Sequence, residues 1–174
     1  AFGRLLLWNW EQGRMLFTDY KFTRIHKIRR TGGVKVPMNV LFVCVHNAGR
    51  SQMAEAIVKH IASTNNLPIK SMSAGTIAGE KINPVAIQVM DEIGISMKGQ
   101  TPKQLTSEMV KNADKVITMG CGVDADACPV KFLISEDWGL QDPKGQSVDT
   151  VRAIRDQIID RCNLLVEELT HAGK

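Results

Sequence analysis

The feature that most constrains this chain is the apolar stretch Asn39–Val45 (NVLFVCV), together with the polar loop and the helix that follow it. Apolar and β-branched residues without polar alternation are typical of a strand buried on both faces. From Ser51 to Ser63 apolar residues recur at helical spacing, which predicts an amphipathic helix. A buried strand followed directly by a helix is the building unit of parallel α/β sheets.

The rest of the chain continues this alternation of strands and helices. Strands are predicted at Ile69–Ala74, Lys115–Met119 and Lys131–Ile134, and helices at Asn83–Ile93, Thr101–Asn112 and Val148–Leu169. Two of these helices begin with a polar cap followed by proline at the first helical position. Right-handed crossovers join such strands into a parallel sheet, and ligands bind beyond the carboxyl ends of the strands. We therefore predict a three-layer α/β/α fold with a four-stranded parallel sheet.

Charge and aromatic content divide the chain near Pro37-Met38. Residues 1–37 hold eight Lys/Arg against two Asp/Glu and six of the nine aromatic residues, whereas residues 38–174 hold fourteen against sixteen. We predict a domain at 38–174 and a basic, aromatic extension at 1–37. The extension is either translated upstream sequence or an expression artefact, with Met38 as the natural start, or a functional arm. We favour the first, because Gly32-Gly33-Val34 can be encoded by a ribosome-binding-like sequence.

All four cysteines follow this boundary, and no stretch approaches the roughly 20 apolar residues needed to span a bilayer. The sequence shows no secretory signal pattern, so we expect a cytoplasmic protein whose domain binds neither membrane nor nucleic acid. In a reducing cytosol, cysteines do chemistry, bind a metal or pack in the core more often than they form structural disulfides. Cys162, on the apolar side of the last predicted helix, is expected to be a core residue.

The loop between the first strand and its helix predicts an oxyanion site. It consists of Cys44, Val45, His46, Asn47, Ala48, Gly49, Arg50 and Ser51. Backbone N–H groups in a loop that enters a helix form a cradle for an anion, and Arg50 adds a planar fork of donors. Helix starts and arginines also lower a thiol pKa from about 8.5 to roughly 3.5–7.5. Cys44 is therefore a candidate nucleophile, the alternative being a buried structural cysteine.

This loop resembles the signature C-x-x-N-x-x-R-S of the low-molecular-weight protein tyrosine phosphatase fold. Within that fold the chain is similar to the thioredoxin-coupled arsenate reductases. The similarity covers about residues 38–171 and includes Ser73–Thr76, Asn83-Pro84, Thr118–Gly122 and Trp138–Pro143. It implies an enzyme that reduces arsenate to arsenite and takes electrons from an external thiol, expected to be thioredoxin, with no bound cofactor.

The resemblance also implies a relay of three sulfurs. Cys44 would attack arsenic, Cys121 would attack the Cys44 sulfur as arsenite leaves, and Cys128 would then attack Cys121. The resulting Cys121–Cys128 disulfide would be the substrate of thioredoxin. Three alternatives stay open for this pair: two inert thiols, a zinc site, or a bystander Cys128 with Cys121 coupled to a small thiol.

The family pattern places the general acid at Asp142, in an Asp-Pro pair on a loop that faces the cysteine. A carboxylic acid there would protonate the leaving oxygen, and Asp137 is a nearby alternative without a matching motif. Some thioredoxin-coupled members also bind potassium beside the cysteine loop. Asn47, Glu55 and Ser73 occupy matching positions here, without a further carboxylate that we can assign.

Two other functions fit the oxyanion loop: a phosphomonoester or protein tyrosine phosphatase, and a non-catalytic regulator that binds an oxyanion or arsenite. Tyrosine phosphatases of this fold carry aromatic residues after the Asp-Pro pair, where they stack on the substrate ring. Here Lys144-Gly145 follow instead, and Tyr20 is the only tyrosine of the chain. A pocket without an aromatic platform favours a small inorganic anion.

Overall fold

The computed structural model describes residues 5–9, 14–18, 37–120 and 134–171. The strands are β1 (Leu5–Asn9), β2 (Arg14–Thr18), β3 (Met38–Cys44), β4 (Ile69–Gly75), β5 (Lys115–Thr118) and β6 (Ile134–Asp137). The helices are α1 (Arg50–Asn65), α2 (Pro84–Asp91), α3 (Ser107–Lys111) and α4 (Val148–His171). None of the described helices is both long enough and apolar enough to cross a membrane.

The four strands β3 to β6 form one sheet in the order β4-β3-β5-β6, and every neighbouring pair is parallel. Strands β1 and β2 pair with each other in an antiparallel sheet of their own. The predicted four-stranded parallel sheet is therefore confirmed. The central position of β3 explains its unbroken apolar sequence, because it has a strand on each side and a core on each face.

Alternate residues of β3 pack into two separate cores. Val40 and Phe42 join the larger core, which is built with α1, α2 and α4. Leu41 and Val43 join a smaller core on the opposite face, which includes Val110 of α3. This alternation follows from the two-residue period of a strand, and it gives the predicted three layers.

The prediction that a helix begins at Thr101 was wrong. Helix α3 begins at Ser107, where the Thr106 side chain accepts a hydrogen bond from the Met109 N–H. The preceding residues are extended instead, since the Gly75 N–H donates to Lys103 O and the Leu105 N–H donates to Gly75 O. This pairing satisfies backbone groups at the end of the edge strand β4, which a helical turn there would leave unpaired.

The predicted end of the last strand was also wrong. We expected a strand at Lys131–Ile134, whereas β6 extends to Asp137; the first three residues of the predicted strand, 131–133, lie outside the described residues. Ser135, Glu136 and Asp137 are all exposed. An edge strand that faces solvent carries polar side chains, so the apolar pattern that predicts a buried strand is absent there.

An ion-pair cluster joins α2 to α4. Arg152 forms a bidentate pair with Glu92, with nitrogen–oxygen distances of 2.8 and 2.7 Å. The buried Arg155 donates to the backbone oxygen of Val89 at 2.8 Å and approaches Glu92 at 3.4 Å. The hydrogen bonds from Arg152 lower the pKa of Glu92, and the charges of Arg152 and Arg155 add to that, against the opposing effect of burial. The ionised Glu92 is thus the form that the fold stabilises.

We expect Glu92→Gln to lower stability at neutral pH by about 1 kcal/mol, or roughly 2–4 °C in melting temperature. Because the pKa of Glu92 is lower in the folded state, its contribution is present above the unfolded-state pKa and is lost as pH falls through the folded-state pKa. Thermal unfolding should therefore show the variant and the wild type converging below about pH 4. The exposed Glu80→Gln is the control, and a difference independent of pH would contradict the assignment.

Candidate active site

The predicted anion loop lies at the carboxyl edge of the sheet, between β3 and α1. Cys44 ends the strand with only 3% of its surface exposed, and Arg50 begins the helix. Above the sulfur opens a cavity of about 460 Å³. Its walls include Cys44, His46, Arg50, Ile82, Asp142 and Lys144. The structure thus brings together Cys44, Arg50 and Asp142, the three residues that the sequence offers as candidate nucleophile, anion-binding arginine and acid.

Two polar groups contact the sulfur of Cys44. The Ser51 hydroxyl lies 2.9 Å from Sγ, and the Asn47 N–H donates to Sγ at 3.1 Å. Ser51 Oγ also accepts a hydrogen bond from Asn47 Nδ2 at 2.9 Å, and its own proton can be donated to a thiolate at Cys44. Hydrogen bonds to the charged form favour that form, so this arrangement stabilises a thiolate.

Asn47 holds the loop in shape. It is fully buried, and its φ of 49° lies in the left-handed region that asparagine tolerates better than most residues. Its Nδ2 donates to Ser51 and to Ser73 at 2.8 Å. Its Oδ1 accepts from Gln52 Nε2 and from the Lys103 N–H, both at 2.8 Å. All four hydrogen-bonding positions of the amide are therefore used within the site.

The potassium candidates Asn47, Glu55 and Ser73 are neighbours. Ser73 Oγ donates to Glu55 Oε2 at 2.5 Å, beside its bond to Asn47. The Lys103 ammonium lies 3.2 Å from the same Glu55 oxygen and supplies a positive charge there. The described residues contain no group of three His, Cys, Asp or Glu able to hold a metal ion. Potassium at this position stays a prediction.

Arg50 connects three segments through one buried guanidinium. Its Nη1 donates to the backbone oxygens of Met119 at 3.1 Å and Leu140 at 2.6 Å. Its Nη2 lies 3.2 Å from Asp142 Oδ2. The arginine is 7% exposed and the aspartate 55%, so the acid faces the open side of the cavity. Arg50 therefore aligns the Asp-Pro loop with the cysteine loop.

The Asp-Pro loop packs directly on the cysteine loop. A Cβ added to Gly49 would lie 2.8 Å from Pro143 Cγ, closer than carbon atoms approach without a shift. The Lys144 N–H donates to Asp142 Oδ1 at 3.0 Å and fixes the carboxyl group. Glycine is thus required at position 49 by the approach of Pro143, a reason that the sequence did not reveal.

The other predicted loop residues contribute through their backbone. Val45 O and His46 O accept from the N–H groups of Ile77 and Gly79, and Ala48 O accepts from Asn83. The His46 side chain is exposed, with Nδ1 3.2 Å from Ile77 O. These hydrogen bonds hold the cysteine loop against residues 77–83.

Cys121 and Cys128 lie outside the described residues, so their pairing stays a prediction. Sequence reasoning missed Gln52 and Lys103, whose contacts to Asn47 join helix and loop residues that no short motif links. Cys162 is fully buried in the larger core as predicted, and burial raises the pKa of its thiol.

The chain belongs to the low molecular weight phosphotyrosine protein phosphatase family, whose sequence profile matches residues 39–174. Its relatives include the glutaredoxin arsenate reductase of Synechocystis, 36% identical over 132 residues that cover 75% of this chain and 98% of the relative. An arsenate reductase of Bacillus subtilis is 34% identical over 143 residues, covering 78% and 96%. The resemblance to arsenate reductases that the sequence predicted is confirmed.

Solved structures agree with this family. An arsenate reductase in the phosphate binding state is 36% identical, with a TM-score of 0.66 and coverage of 75% of this chain and 98% of that one. A thioredoxin-dependent arsenate reductase of Corynebacterium glutamicum is 31% identical, with a TM-score of 0.64 and coverage of 82% and 66%. A YwlE arginine phosphatase of Geobacillus stearothermophilus is 28% identical, with a TM-score of 0.66 and coverage of 78% and 95%.

The hydroxyl of Ser51 offers a direct test of thiolate stabilisation. We expect Ser51→Ala to shift the pH midpoint of Cys44 alkylation upward by about one to two units, because a hydrogen bond to a charged group contributes roughly 1.5–3 kcal/mol. Iodoacetamide labelling followed by peptide mass spectrometry would isolate Cys44 from the other thiols. Ser71→Ala is the matched control, since its hydroxyl bonds only Glu55 O in α1. An unchanged midpoint would rule out Ser51 as the donor.

Proposed function

We propose that this protein reduces arsenate to arsenite, with Cys44 as nucleophile and a sulfur relay through Cys121 and Cys128 to an external dithiol. The observation that carries this proposal is the thiol of Cys44 at the floor of an anion cavity, next to the strand end from which Cys121 follows. Similarity to a thioredoxin-dependent arsenate reductase supports thioredoxin as the reductant.

The first step is substitution at arsenic. The loop N–H groups and Arg50 bind the oxyanion, and the Cys44 thiolate attacks arsenic to form a sulfur–arsenic bond. An arsenic–oxygen bond breaks, and the proton of Asp142 goes to the departing hydroxide, which leaves as water. The exposure of Asp142 at the open side of the cavity suits this role, because the acid must take up a proton from solvent again.

The second step is reduction. The thiolate of Cys121 attacks the Cys44 sulfur, a disulfide forms, and the electron pair of the sulfur–arsenic bond stays on arsenic, which leaves as arsenite. Cys128 then attacks Cys121, releasing the Cys44 thiolate and leaving a Cys121–Cys128 disulfide. The dithiol of thioredoxin reduces that disulfide. Two electrons thus pass from thioredoxin to arsenic in each cycle.

Strand register supports a meeting of Cys44 and Cys121. Val43 is paired with Thr118, and the Met119 N–H donates to Val43 O at 3.1 Å, so that Met119 lies level with Cys44. Neighbouring strands are about 4.8 Å apart, and a disulfide needs Cα atoms roughly 4.4–6.8 Å apart. Cys121 follows Met119 by two residues, so the chain connects it to a position level with Cys44.

A phosphatase is the second candidate, and the size of the cavity favours it. A cavity of about 460 Å³ exceeds what a tetrahedral inorganic anion fills. The same nucleophile, arginine and acid would serve phosphoryl transfer, in which water replaces Cys121. The similarity to an arginine phosphatase is consistent with this alternative.

Replacing Cys121 separates the two candidates. We expect Cys121→Ser to lower thioredoxin-coupled arsenate turnover by at least about a hundredfold, since serine cannot form the disulfide that releases arsenite. Hydrolysis of an aryl phosphate, where it occurs, should not change. Cys162→Ala is the control for loss of a thiol outside the relay. Arsenate turnover that survives Cys121→Ser would remove Cys121 from the scheme, and fast ester hydrolysis without arsenate turnover would establish the phosphatase.

We also propose that residues 38–174 are the complete catalytic domain. The family profile begins at residue 39, and the strands of the larger sheet all lie after residue 37. A chain of residues 38–174 should melt within a few degrees of the full chain and keep its arsenate turnover. Loss of cooperative unfolding or of activity in the shortened chain would instead make residues 1–37 an integral part of the domain.

A further inference from the structure

We propose that Asp137 is a positioning residue for the sulfur relay: its carboxylate fixes the backbone at Gly120, the residue to which Cys121 is directly bonded. The inference rests on the proposed function. It concerns a residue that the catalytic motif does not include and that the sequence offered only as an alternative acid.

The carboxylate of Asp137 binds the end of β5 from the end of β6. Its Oδ1 accepts from the Thr118 hydroxyl at 2.7 Å and from the Gly120 N–H at 2.6 Å. The Gly120 N–H is the last backbone donor before Cys121. Charge-assisted hydrogen bonds of this length are about twice as strong as neutral ones, so Asp137 restrains Gly120 more firmly than a backbone carbonyl would.

Asp137 acts here as an anion. Burial raises the pKa of its carboxyl, but hydrogen bonds from Thr118 and from the N–H groups of Gly120, Gly139 and Trp138 together bring that pKa below its usual value. An ionised carboxylate accepts the hydrogen bonds of Thr118 and Gly120 together, which suits a holding role at the end of β5.

Further contacts immobilise the same short stretch. Gly120 has a φ of 72°, and a Cβ there would lie 2.5 Å from the backbone of Gly139. The Leu140 N–H donates to Met119 O at 3.2 Å, which also accepts from Arg50. The backbone is therefore held up to and including Gly120, the residue before Cys121. Glycine is the most flexible residue type, but Gly120 is held in one conformation by these contacts.

A fixed position of Gly120 matters because the attack of Cys121 on Cys44 is an intramolecular reaction. Its rate depends on the effective concentration of the Cys121 sulfur at Cys44, which falls when the tether between them becomes longer or looser. Without Asp137 the Gly120 N–H would lose this acceptor, and the last residue held by hydrogen bonds would be Met119. The oxyanion cradle, built from the cysteine loop, would keep its own hydrogen bonds.

The test compares Asp137→Ala with Asp114→Ala. Asp114 is a matched control, because its Oδ2 accepts from the Asn39 N–H at 2.7 Å at the opposite end of the same sheet. A single turnover with arsenate, quenched by acid and analysed for the Cys44–Cys121 disulfide, gives the rate of the relay step. Protection of Cys44 from iodoacetamide by inorganic phosphate shows whether the cysteine loop still binds an oxyanion.

We expect Asp137→Ala to slow disulfide formation at least about tenfold while phosphate protection and Cys44 alkylation change less than about twofold. Asp137→Asn, which keeps one acceptor oxygen, should be intermediate, and it supplies the comparison if the alanine variant does not fold. Asp114→Ala should leave the rate of disulfide formation, the protection by phosphate and the alkylation of Cys44 near their wild-type values.

The inference is overturned if the Asp137 variants form the Cys44–Cys121 disulfide as fast as Asp114→Ala does. It is also overturned if the rate of disulfide formation and the protection of Cys44 by phosphate fall together. Failure of the proposed function looks different: Cys121→Ser would then keep arsenate turnover. Loss of turnover in Cys121→Ser with a normal relay rate in both Asp137 variants would refute the positioning role alone.

Discussion

The arrangement of this site depends on the buried guanidinium of Arg50. One planar group touches the end of β5 through Met119, the segment after β6 through Leu140, and the Asp-Pro loop through Asp142. A buried cation needs such partners, because an unpaired charge in the interior is very costly. Arg50 therefore also fixes the end of β5 and the Asp-Pro loop relative to the cysteine loop.

The cysteine loop beside Arg50 is polar and rigid. Asn47 and Gln52 are fully buried, and every buried side-chain nitrogen or oxygen in the described residues has a partner. A fully satisfied polar network resists rearrangement more than an apolar cluster does, since each broken bond leaves a desolvated group. The cysteine loop is thus held in one conformation by its own buried hydrogen bonds.

The sequence was sufficient to predict the parallel sheet and the loop from Cys44 to Ser51. The burial of β3 on both faces and the spacing from Cys44 to Arg50 are local patterns, and both follow from strand and loop geometry. Lys103, Asp137 and the contact of Gly49 with Pro143 were not foreseeable, because each depends on how distant segments pack. The polar sequence of β6 and the extended residues before α3 were misjudged for the same reason: tertiary pairing overrode local preference.

The solvent-facing strand β6 has a consequence for the behaviour of the protein in concentrated solution. Its last three residues, Ser135 to Asp137, are polar and exposed, and Glu136 lies 3.7 Å from Arg161. Unpaired strand edges invite the sheets of other molecules to join them, and charged side chains on such an edge disfavour that contact. The sheet therefore carries its own protection against intermolecular aggregation along its β6 edge.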